Sequence, residues 1–458
     1  MSASQFPHPN GMESFWRTKT GSLDRHRTTP ELPKVVDIVV IGGGYSAAAF
    51  VEHLLETYDR DPSSIVVLEA RQLCSGATGR NGGHLKPDNY HATARLAKEY
   101  GFEAAEELAV FEMDNVEAVG QYVTREKVDC DFIATRAFDV QLTDDVRRKV
   151  DSGFRALEAA GSRAVQKTFA IPNKFAEKVS GVKGAKSAYS YPAGHCWPYQ
   201  LIHHMFSKAV KKGVNLQTET LVKALSDTRD HDGYWLVTTD RGTIRTNKVV
   251  VTTNAYTAAI LPEYRDKIVP YKGICCRIAC PPDQAPPLLT NSYGLRFSDW
   301  DFDYLIPRPD GSIIVGGARE RYFRNLHSWY ANCDDSELIE EAKSYFDGYM
   351  QRHFHGWENS QAHVTHIWTG IMGYSSDRLP RVGAVPYRPG IFIMGGFTGH
   401  GMPQIFLTAR GLVDLVQHDK RFDQSGIPRL FEETKERLNR KGNGVMDLWR
   451  MSQYRSSL

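Results

Sequence analysis

A chain of 458 residues is too long for one ordinary single-core domain, so we expect about three domain-sized units, or two with one enlarged. Hydrophobic residues make up 41% and charged residues 24%, which excludes a disordered chain and a fibre. With 56 basic and 54 acidic residues the net charge is only +2, so neither nucleic acid nor a membrane is an expected partner. No apolar run is long enough to predict a transmembrane helix.

The first regular structure is predicted after a polar N-terminal arm, residues 1–34. Residues 35–41 form a nearly continuous apolar run rich in β-branched side chains, which is typical of a strand buried on both faces. Glycines follow at once, then a helix pattern over 47–55 and a second apolar strand over 64–69. This order of strand, glycine turn, helix and strand predicts a βαβ unit.

Further elements are predicted from hydrophobic periodicity along the rest of the chain. Helices are expected at 92–128, 144–160, 200–212, 335–352 and 405–413, and strands at 218–222, 234–239, 248–253 and 391–394. The last residues, 418–458, predict a polar helical tail.

The first glycine cluster follows the first strand directly and fits the pattern G-x-G-x-x-A. Gly42 permits a tight turn, Gly44 lets a pyrophosphate approach the backbone, and the small Ala47 lets helix and strand pack closely. Glu69 ends the second strand, where a carboxylate can accept hydrogen bonds from ribose hydroxyls. Together these features predict dinucleotide binding at the start of the helix.

Two further glycine clusters favour FAD over NAD. The second cluster, residues 74–84, follows the second strand, where a simple NAD domain needs no glycine-rich loop. The third, residues 395–402, again lies between an apolar strand and a helix, and its amides could stabilise negative charge on a reduced flavin.

These clusters occur in a series of motifs, and with them the chain resembles the FAD-dependent amine and amino-acid oxidases of the D-amino-acid oxidase, glycine oxidase and sarcosine oxidase type. Within that group it is most similar to the γ-glutamylputrescine oxidase-like branch. The matching motifs are DIVVIGGG at 37–44, the segment 76–83 with RNGG, TNAY at 253–256, WTGIMG at 368–373, DRLPRVG at 377–383, and 395–402.

The resemblance implies an α/β protein with a Rossmann-like FAD-binding domain from discontinuous segments and a mixed β-sheet substrate domain. The expected ranges are 35–90, 195–260 and 360–417 for the FAD-binding domain, and 91–194 and 261–359 for the substrate domain and covering helices. The residues expected to bind FAD are Gly42, Gly44, Ala47, Glu69, Ala70, Arg71, Thr78, Gly79, Arg80, Asn81, Gly82, Gly83, Val222, Gly396, Thr398, Gly399, Gly401 and Met402.

Candidates on the substrate side are polar side chains near the motifs. The candidates for catalysis are His84, Lys272, Tyr304 and His400, and Arg308 and Tyr374 are further candidates for substrate contact. Each also has a structural interpretation, such as a solvated lysine or a histidine that shapes a turn. Because the flavin carries the electrons, no single acid or base need be indispensable.

Three positions depart from the pattern of the sarcosine-type relatives. Pro403 follows Met402 where those relatives place a lysine for the substrate carboxylate, and Ile314 stands where they keep an oxygen-activating lysine. Met372 lies in the segment where they attach FAD through a cysteine, so we expect non-covalent FAD. The first two departures weaken the case for a small amino acid as substrate, and the second, Ile314, also leaves the reaction with oxygen open.

The sequence therefore predicts an enzyme with a small-molecule substrate, an amine or amino-acid derivative whose C–N bond it oxidises to an imine, with O₂ reoxidising the flavin to give H₂O₂. A flavin-dependent dehydrogenase or biosynthetic enzyme acting on a larger metabolite is one alternative, and a non-catalytic flavin-binding protein is another. No residue pattern indicates a metal site or an oligomeric state.

The cysteines and the two ends of the sequence indicate in which cellular compartment the protein is expected. Seven cysteines, an odd number without any C-x-x-C pair, predict reduced thiols in an intracellular protein. The N-terminus has no apolar segment that would predict a secretory signal. We expect a cytoplasmic protein, with peroxisomal import as an alternative because the C-terminal Ser456-Ser457-Leu458 loosely resembles S-K-L without its basic residue.

Overall fold

The computed structural model describes residues 5–281, 286 and 288–454, so the C-terminal tripeptide lies outside the described residues. In chain order the strands are β1 (Val35–Ile41), β2 (Ile65–Leu68), β3 (His84–Leu85), β4 (Ile133–Gln141), β5 (Phe169–Ile171), β6 (Ser187–His195), β7 (Asn215–Gln217), β8 (Val222–Leu225), β9 (Trp235–Thr239), β10 (Gly242–Val251), β11 (Ile268–Ala279), β12 (Ser292–Arg296), β13 (Phe302–Pro307), β14 (Ile313–Gly316), β15 (His363–Ser375), β16 (Arg381–Ala384) and β17 (Ile391–Gly395). The α-helices are α1 (Tyr45–Thr57), α2 (His91–Tyr100), α3 (Phe102–Glu126), α4 (Asp144–Ala159), α5 (Arg163–Gln166), α6 (Ala176–Ser180), α7 (Pro198–Lys211), α8 (Thr257–Ile260), α9 (Arg319–Tyr322), α10 (Leu326–Trp329), α11 (Tyr349–His353), α12 (Ile405–Gln417), α13 (Lys435–Asn439) and α14 (Gly444–Tyr454).

The first sheet has a parallel centre with the strand order β17-β10-β1-β2-β7, extended by β16 beyond β17 and by the antiparallel pair β9 and β8. Val39 and Val40 of β1 have no exposed surface, as the continuous apolar run predicted for a strand covered on both faces. Helices α1, α7 and α12 contribute to the core on one side of this sheet. The carboxyl ends of β1, β2 and β17 therefore bring the three glycine clusters to one edge.

The second sheet is mixed and has the order β15-β11-β14-β13-β12-β4-β6-β3, with β5 paired to β6. Its neighbours run antiparallel except for the parallel pair β12 and β4. One sheet with a parallel centre and one mixed sheet confirm the predicted α/β architecture.

Two strands pair within a sheet other than the one that their predicted domain range implies. Strand β15 pairs with β11 along residues 363–375, so it belongs to the second sheet although it falls within 360–417. Strand β3 pairs with β6 and likewise belongs to the second sheet although it falls within 35–90. The apolar pattern of a strand does not specify its partner, which explains both differences.

Two helix predictions and one strand prediction were wrong in their extent. The segment 92–128 is two helices, because Gly101 adopts φ +90° between them. The segment 335–352 holds only a short 3-10 turn and α11, and its tyrosines 345 and 349 instead donate hydrogen bonds to the buried Asp303. The strand expected at 218–222 is interrupted at Glu219, which has φ +49°.

The N-terminal segment is no free arm, because its aromatic side chains are buried. Trp16 has no exposed surface, and its indole N–H donates to the carbonyl of Asn81 at 2.5 Å. Ser14 donates to the carbonyl of Gly79, and Arg17 donates to that of Leu73. The segment therefore packs on the second glycine cluster, which its polar composition did not reveal.

The C-terminal segment consists of short turns and helices rather than one helical tail. Glu433 accepts two hydrogen bonds from the fully buried Arg381 of β16, at 2.9 and 3.0 Å, which ties the segment to the first sheet. Along the described part of the chain, no helix has the length and apolar character needed to cross a membrane.

Candidate active site

An elongated cavity of about 350 Å³ lies where the two sheets meet. Its lining beside the first sheet includes Glu69 and Val222, and its lining beside the second sheet, named the aromatic end, includes Tyr304 and Arg319. The predicted FAD-binding residues on its wall are Gly42, Gly44, Glu69, Ala70, Arg71, Thr78, Arg80, Asn81, Gly82, Val222, Thr398, Gly399, Gly401 and Met402. The structure thus brings most of the predicted cofactor residues together.

Four predicted FAD-binding residues lie off the wall, and each has a packing role. Ala47 is fully buried in the first turn of α1. A Cβ atom at Gly79 would lie 2.0 Å from the carbonyl oxygen of Cys74, and one at Gly83 would lie 2.6 Å from that of Cys196. Gly396 has φ +70° and donates its N–H to Asn254 Oδ1 at 2.9 Å. These residues shape the loops rather than line the cavity.

The first loop needs glycine for two different reasons. Gly42 has φ +113°, and a Cβ there would lie 3.0 Å from the carbonyl oxygen of Thr252. Gly44 has an ordinary φ of −95°, and a Cβ there would meet only the side chain of Thr78, at 3.1 Å from Oγ1. Gly42 is therefore needed for the turn, whereas Gly44 keeps the space in front of α1 open.

The carboxylate of Glu69 stands at the end of β2 on the cavity wall. Its Oε2 accepts from Gly43 N–H at 2.6 Å and its Oε1 from Arg71 N–H at 2.9 Å. The Arg71 guanidinium is turned away to Asp335, with two N–O contacts of 2.9 Å. Glu69 is thus the polar group that a ribose would meet at this end.

The second loop is fixed by Thr78 and Arg80. Thr78 Oγ1 accepts from the first N–H of α1, at Tyr45, over 3.1 Å, which joins this loop to the first. Arg80 donates to the carbonyls of Ser75 and Thr369 at 2.7 and 2.9 Å. Burial lowers the pKa of Arg80 to about 10, although the nearby Asp335 raises it.

The third loop is hydrogen-bonded to the end of β15, where β15 pairs with the start of β11. Thr398 donates its N–H to the carbonyl of Gly373 at 2.8 Å, and its Oγ1 accepts from Ser375 N–H at 3.2 Å. A Cβ at Gly399 would lie 3.0 Å from Tyr374 Oη. Gly399 can therefore present only backbone to the cavity.

The residues present fit a flavin dinucleotide. Gly44 leaves the backbone open where a pyrophosphate would pass, and Glu69 offers a carboxylate for ribose hydroxyls. Tyr256 also lines the cavity, and its buried hydroxyl has no hydrogen-bond partner among the described residues. A buried hydroxyl left without a partner is costly, so this atom is suited to a ligand contact.

The far end of the cavity has an aromatic wall. Tyr304 lies against Gly82 of the second loop, and its hydroxyl is 3.3 Å from Cys275 Sγ. His84, His400 and Tyr374 also line this end. Three of the four predicted catalytic candidates therefore meet at the aromatic end.

Two substrate-side candidates do not reach the cavity. Lys272 lies between Tyr271 and Gly273 on β11, and strand alternation turns its side chain toward the acidic segment 334–341. Burial lowers its pKa, against the opposing effect of those carboxylates. Arg308 pairs with Asp131 at 2.8 Å and stacks on Trp197. Lys272 is therefore not among the described residues that line the cavity, and its role near the flavin stays a prediction.

The protein shifts the pKa values of the two histidines at this end in opposite directions. Burial lowers the pKa of His84 well below its ordinary value, and the neighbouring Lys86 adds to this effect, so the ring is neutral. Burial would also lower the pKa of His400, but the carboxylate of Glu112, 2.9 Å away, outweighs it and raises the pKa. At neutral pH His84 is therefore a neutral ring and a weak base, whereas Glu112 favours the charged form of His400.

Three site residues were not predicted from the sequence. Arg319 follows Ala318, which has φ +61°, and projects onto the aromatic wall. Asp335 has no exposed surface and holds both Arg71 and Arg80. Asn254 belongs to the TNAY motif, but its hydrogen bond to Gly396 joins two residues that are 142 positions apart in the sequence. No periodicity or spacing signals such long-range partners.

The glycine loops around one elongated cavity, the acidic strand end and the aromatic pocket beyond it define a dinucleotide-binding oxidoreductase of the flavin type. The chain matches the family model described as "FAD dependent oxidoreductase" (DAO) over residues 37–415. It belongs to this family, and FAD is its cofactor, which confirms both predictions.

Individual relatives are distant but cover most of the chain. Gamma-glutamylputrescine oxidoreductase of Escherichia coli is 24% identical over 391 residues, 84% of this chain and 85% of that protein. Glycine oxidase from Geobacillus kaustophilus has a similar structure, with a TM-score of 0.67 at 18% identity over 85% of this chain and 96% of its own. L-proline dehydrogenase from P. horikoshii gives a TM-score of 0.66 at 20% identity, with 85% and 95% covered. The two structural similarities show the fold.

We expect denaturation to release the flavin completely. Cys275 is the cysteine on the described part of the cavity wall, and burial raises its pKa to about 12, which keeps it a thiol. Because the thiolate is the reactive form, this side chain is poorly suited to a covalent flavin link. Acid precipitation should leave all FAD absorbance in the supernatant. Flavin that stays in the wild-type pellet but not in that of Cys275→Ser would contradict this prediction.

Asp301, beside the aromatic end, should make stability depend on pH. Burial raises its pKa to about 7, and the nearby Asp303 adds to the shift. In the folded protein Asp301 therefore keeps a proton that it loses near pH 4 in the unfolded chain. The contribution of Asp301 to the free energy of unfolding thus falls as pH rises from 4 to 7. Relative to the wild type, the free energy of unfolding of Asp301→Asn should therefore rise by about 3 kcal/mol between pH 5 and pH 8.5, since one pKa unit corresponds to about 1.36 kcal/mol.

Urea unfolding of the flavin-free protein at the two pH values measures this difference. Asp227→Asn is the matched control, because the Asp227 side chain is 95% exposed. If the free energy of unfolding of Asp301→Asn rises over this pH range by no more than that of the control, Asp301 is ionised in the folded protein.

Proposed function

We propose that the chain oxidises the C–N bond of a small amine or amino-acid derivative to an imine, with O₂ as the electron acceptor and H₂O₂ as the product. The observation that carries the proposal is the aromatic pocket that continues the FAD cavity beyond the second and third glycine loops. Bound FAD supplies the two-electron acceptor, so the protein has to bind and orient the amine and keep it unprotonated.

The relatives support an amine or amino acid as the substrate class. The matched proteins include those named gamma-glutamylputrescine oxidoreductase and glycine oxidase, which share most of the chain's length and its fold, respectively. The aromatic wall formed by Tyr304, Tyr374 and Phe302 suits the apolar part of such a substrate.

Three candidates keep proposed roles at this end. His84 is neutral, so its ring can accept a hydrogen bond from the substrate nitrogen without placing a positive charge beside it. Tyr304 closes the pocket beside Gly82 and orients the substrate. Glu112 favours the charged form of His400, and in that form the ring supplies a positive potential beside the third loop, where negative charge develops on a reduced flavin.

Ile314 is fully buried in the core, so no lysine at that position can stabilise reduced oxygen. Lys86 is a cation on the cavity wall, and it offers an alternative group for stabilising reduced oxygen. The structural relative named a dehydrogenase keeps electron transfer to another acceptor as the second candidate function.

The decisive experiment is anaerobic bleaching of the holoenzyme's flavin absorbance by a panel of amines, N-methyl amino acids and polyamine conjugates. A substrate should bleach the flavin, and air should restore the colour with one H₂O₂ per amine oxidised. Bleaching that only an artificial acceptor reverses would establish a dehydrogenase. If no amine bleaches the flavin, C–N oxidation is the wrong reaction.

A further inference from the structure

The N-terminal segment continues beyond its contacts with the second glycine cluster and reaches the cavity. Phe6 and Pro7 both lie on the cavity wall. The Phe6 side chain is partly buried and packs on the apolar cluster that contains Val222 and Leu68, the residue before Glu69. Phe6 therefore lies beside the first sheet, in the part of the cavity where Glu69 offers its carboxylate.

The following residues of the segment are held on the buried ion cluster of the wall. The carbonyl of His8 accepts from Arg71 Nη1 at 2.9 Å. The carbonyl of Met12 accepts from Arg80 Nη2 at 2.6 Å, and the N–H of Met12 donates to the carbonyl of Asp335 at 2.8 Å. The segment is thus bonded to both arginines of the cavity wall and to the residue whose carboxylate holds them together.

The closest approach to this cluster is at Gly11. A Cβ atom there would lie 2.5 Å from Arg71 Nη1 and 2.6 Å from Asp335 Oδ1. Both groups are buried and paired with each other, so neither can move aside without disturbing the ion pair. The segment is therefore seated closely on the cluster, and this contact fixes the place from which Phe6 and Pro7 reach the wall.

The wall around Phe6 suits a flat aromatic base. Its apolar residues are Phe6, Pro7, Leu221, Val222, Ala259 and Ile260. Four of them belong to β8, the residue before β8 and α8, whereas Phe6 and Pro7 come from a segment that is part of neither sheet. An apolar slot beside a carboxylate for ribose hydroxyls matches an adenosine, because a base binds well against an aromatic side chain.

We propose that residues 6–12 form a strap over the adenosine half of FAD, with the Phe6 ring as a contact of the adenine base. FAD and the strap then stabilise each other, because a gain in cofactor affinity from the closed strap is returned as an equal stabilisation of the strap by the cofactor. The strap requires FAD with its ribose at Glu69 but no particular amine, so it can fail while the proposed function stands.

The test compares the binding of FAD with that of FMN, which carries the same flavin ring but no adenosine. Each is titrated into the flavin-free protein, and the flavin fluorescence gives the dissociation constant. Phe6→Ala should weaken FAD binding about tenfold, which is the size of one lost contact between a base and an aromatic side chain. The affinity of this variant for FMN should stay within about twofold of the wild type.

Phe169→Ala is the matched control, because it removes the same side chain from β5, where it is 69% exposed. This variant should bind FAD and FMN as the wild type does. An unchanged FAD affinity in Phe6→Ala would overturn the proposal. Equal weakening of FAD and FMN would also overturn it, since a purely structural role of Phe6 would affect both cofactors alike.

ADP replaces FMN if the wild type binds FMN too weakly to measure. ADP contains the adenosine and the pyrophosphate without the flavin, so Phe6→Ala should lower the affinity for ADP about tenfold as well. An unchanged affinity for ADP would contradict a contact between Phe6 and the adenine base.

Hydrogen exchange at the Met12 amide gives an independent measurement of the strap. This N–H is bonded to the carbonyl of Asp335, so it exchanges when the strap opens. FAD should slow the exchange at Met12 at least tenfold relative to the flavin-free protein. An exchange rate that FAD leaves unchanged would show that the segment does not close over the cofactor, and would overturn the proposal.

Discussion

Asp335→Asn should lower the free energy of unfolding by about 3–5 kcal/mol, the cost of leaving a buried charge without its partner. Asp335 has no exposed surface and accepts from both Nη atoms of Arg71 at 2.9 Å, with Arg80 Nε 3.2 Å from the same carboxylate. The asparagine keeps the volume but leaves two buried guanidinium groups facing a neutral amide. Urea unfolding of the flavin-free protein measures the loss.

The same variant should also weaken FAD binding at least tenfold, because both arginines belong to the cavity wall. Asp334→Asn is the control: Asp334 accepts only local bonds from Ser336, which an amide oxygen can retain, and it should change stability by less than about 1 kcal/mol. Equal stability of Asp335→Asn and the control would show that the two arginines do not depend on this carboxylate.

Gly44→Val should weaken FAD binding about 100-fold while leaving the flavin-free protein folded. The backbone at Gly44 has φ −95°, which valine adopts freely, and its added Cβ meets only Thr78. The side chain would occupy the space of the pyrophosphate, and losing two hydrogen bonds to a charged group costs roughly 3 kcal/mol, or about a factor of 100. Titration of the apoprotein with FAD measures the effect.

Gly42→Ala separates the effect on the fold from the effect on the cofactor. Gly42 has φ +113°, and a Cβ there would lie 3.0 Å from the carbonyl of Thr252, so this variant should destabilise the flavin-free protein by about 1–3 kcal/mol. Near-wild-type FAD affinity in Gly44→Val would place the pyrophosphate elsewhere along the cavity.

The parts of the site that could be predicted are those specified by neighbouring residues in sequence. The strand before Gly42, the glycine turn and the helix after it form one local signal, and β1 begins and ends at the predicted residues. Thr78 and Thr398 were found for the same reason, since each lies in a glycine cluster beside an apolar strand.

The parts that could not be predicted depend on residues far apart in the chain. Asp335 meets Arg71 across 264 positions, and the segment around it had been predicted as a helix. The direction of Lys272 could not be known without the pairing of β11, and Arg319 depends on a left-handed residue, Ala318, that is not a glycine. In each case a tertiary contact overrides the local pattern.

The residues of the cavity wall are spread along the chain, and their order in the sequence determines when the site can form during synthesis. The wall begins at Phe6 and Pro7 and is completed only by residues 397–405, which follow β17. β17 in turn pairs with β10, made some 140 residues earlier. A nascent chain on the ribosome therefore cannot form the full cofactor site until nearly the whole protein has been synthesised, and flavin capture becomes a late, post-translational event that marks completed folding.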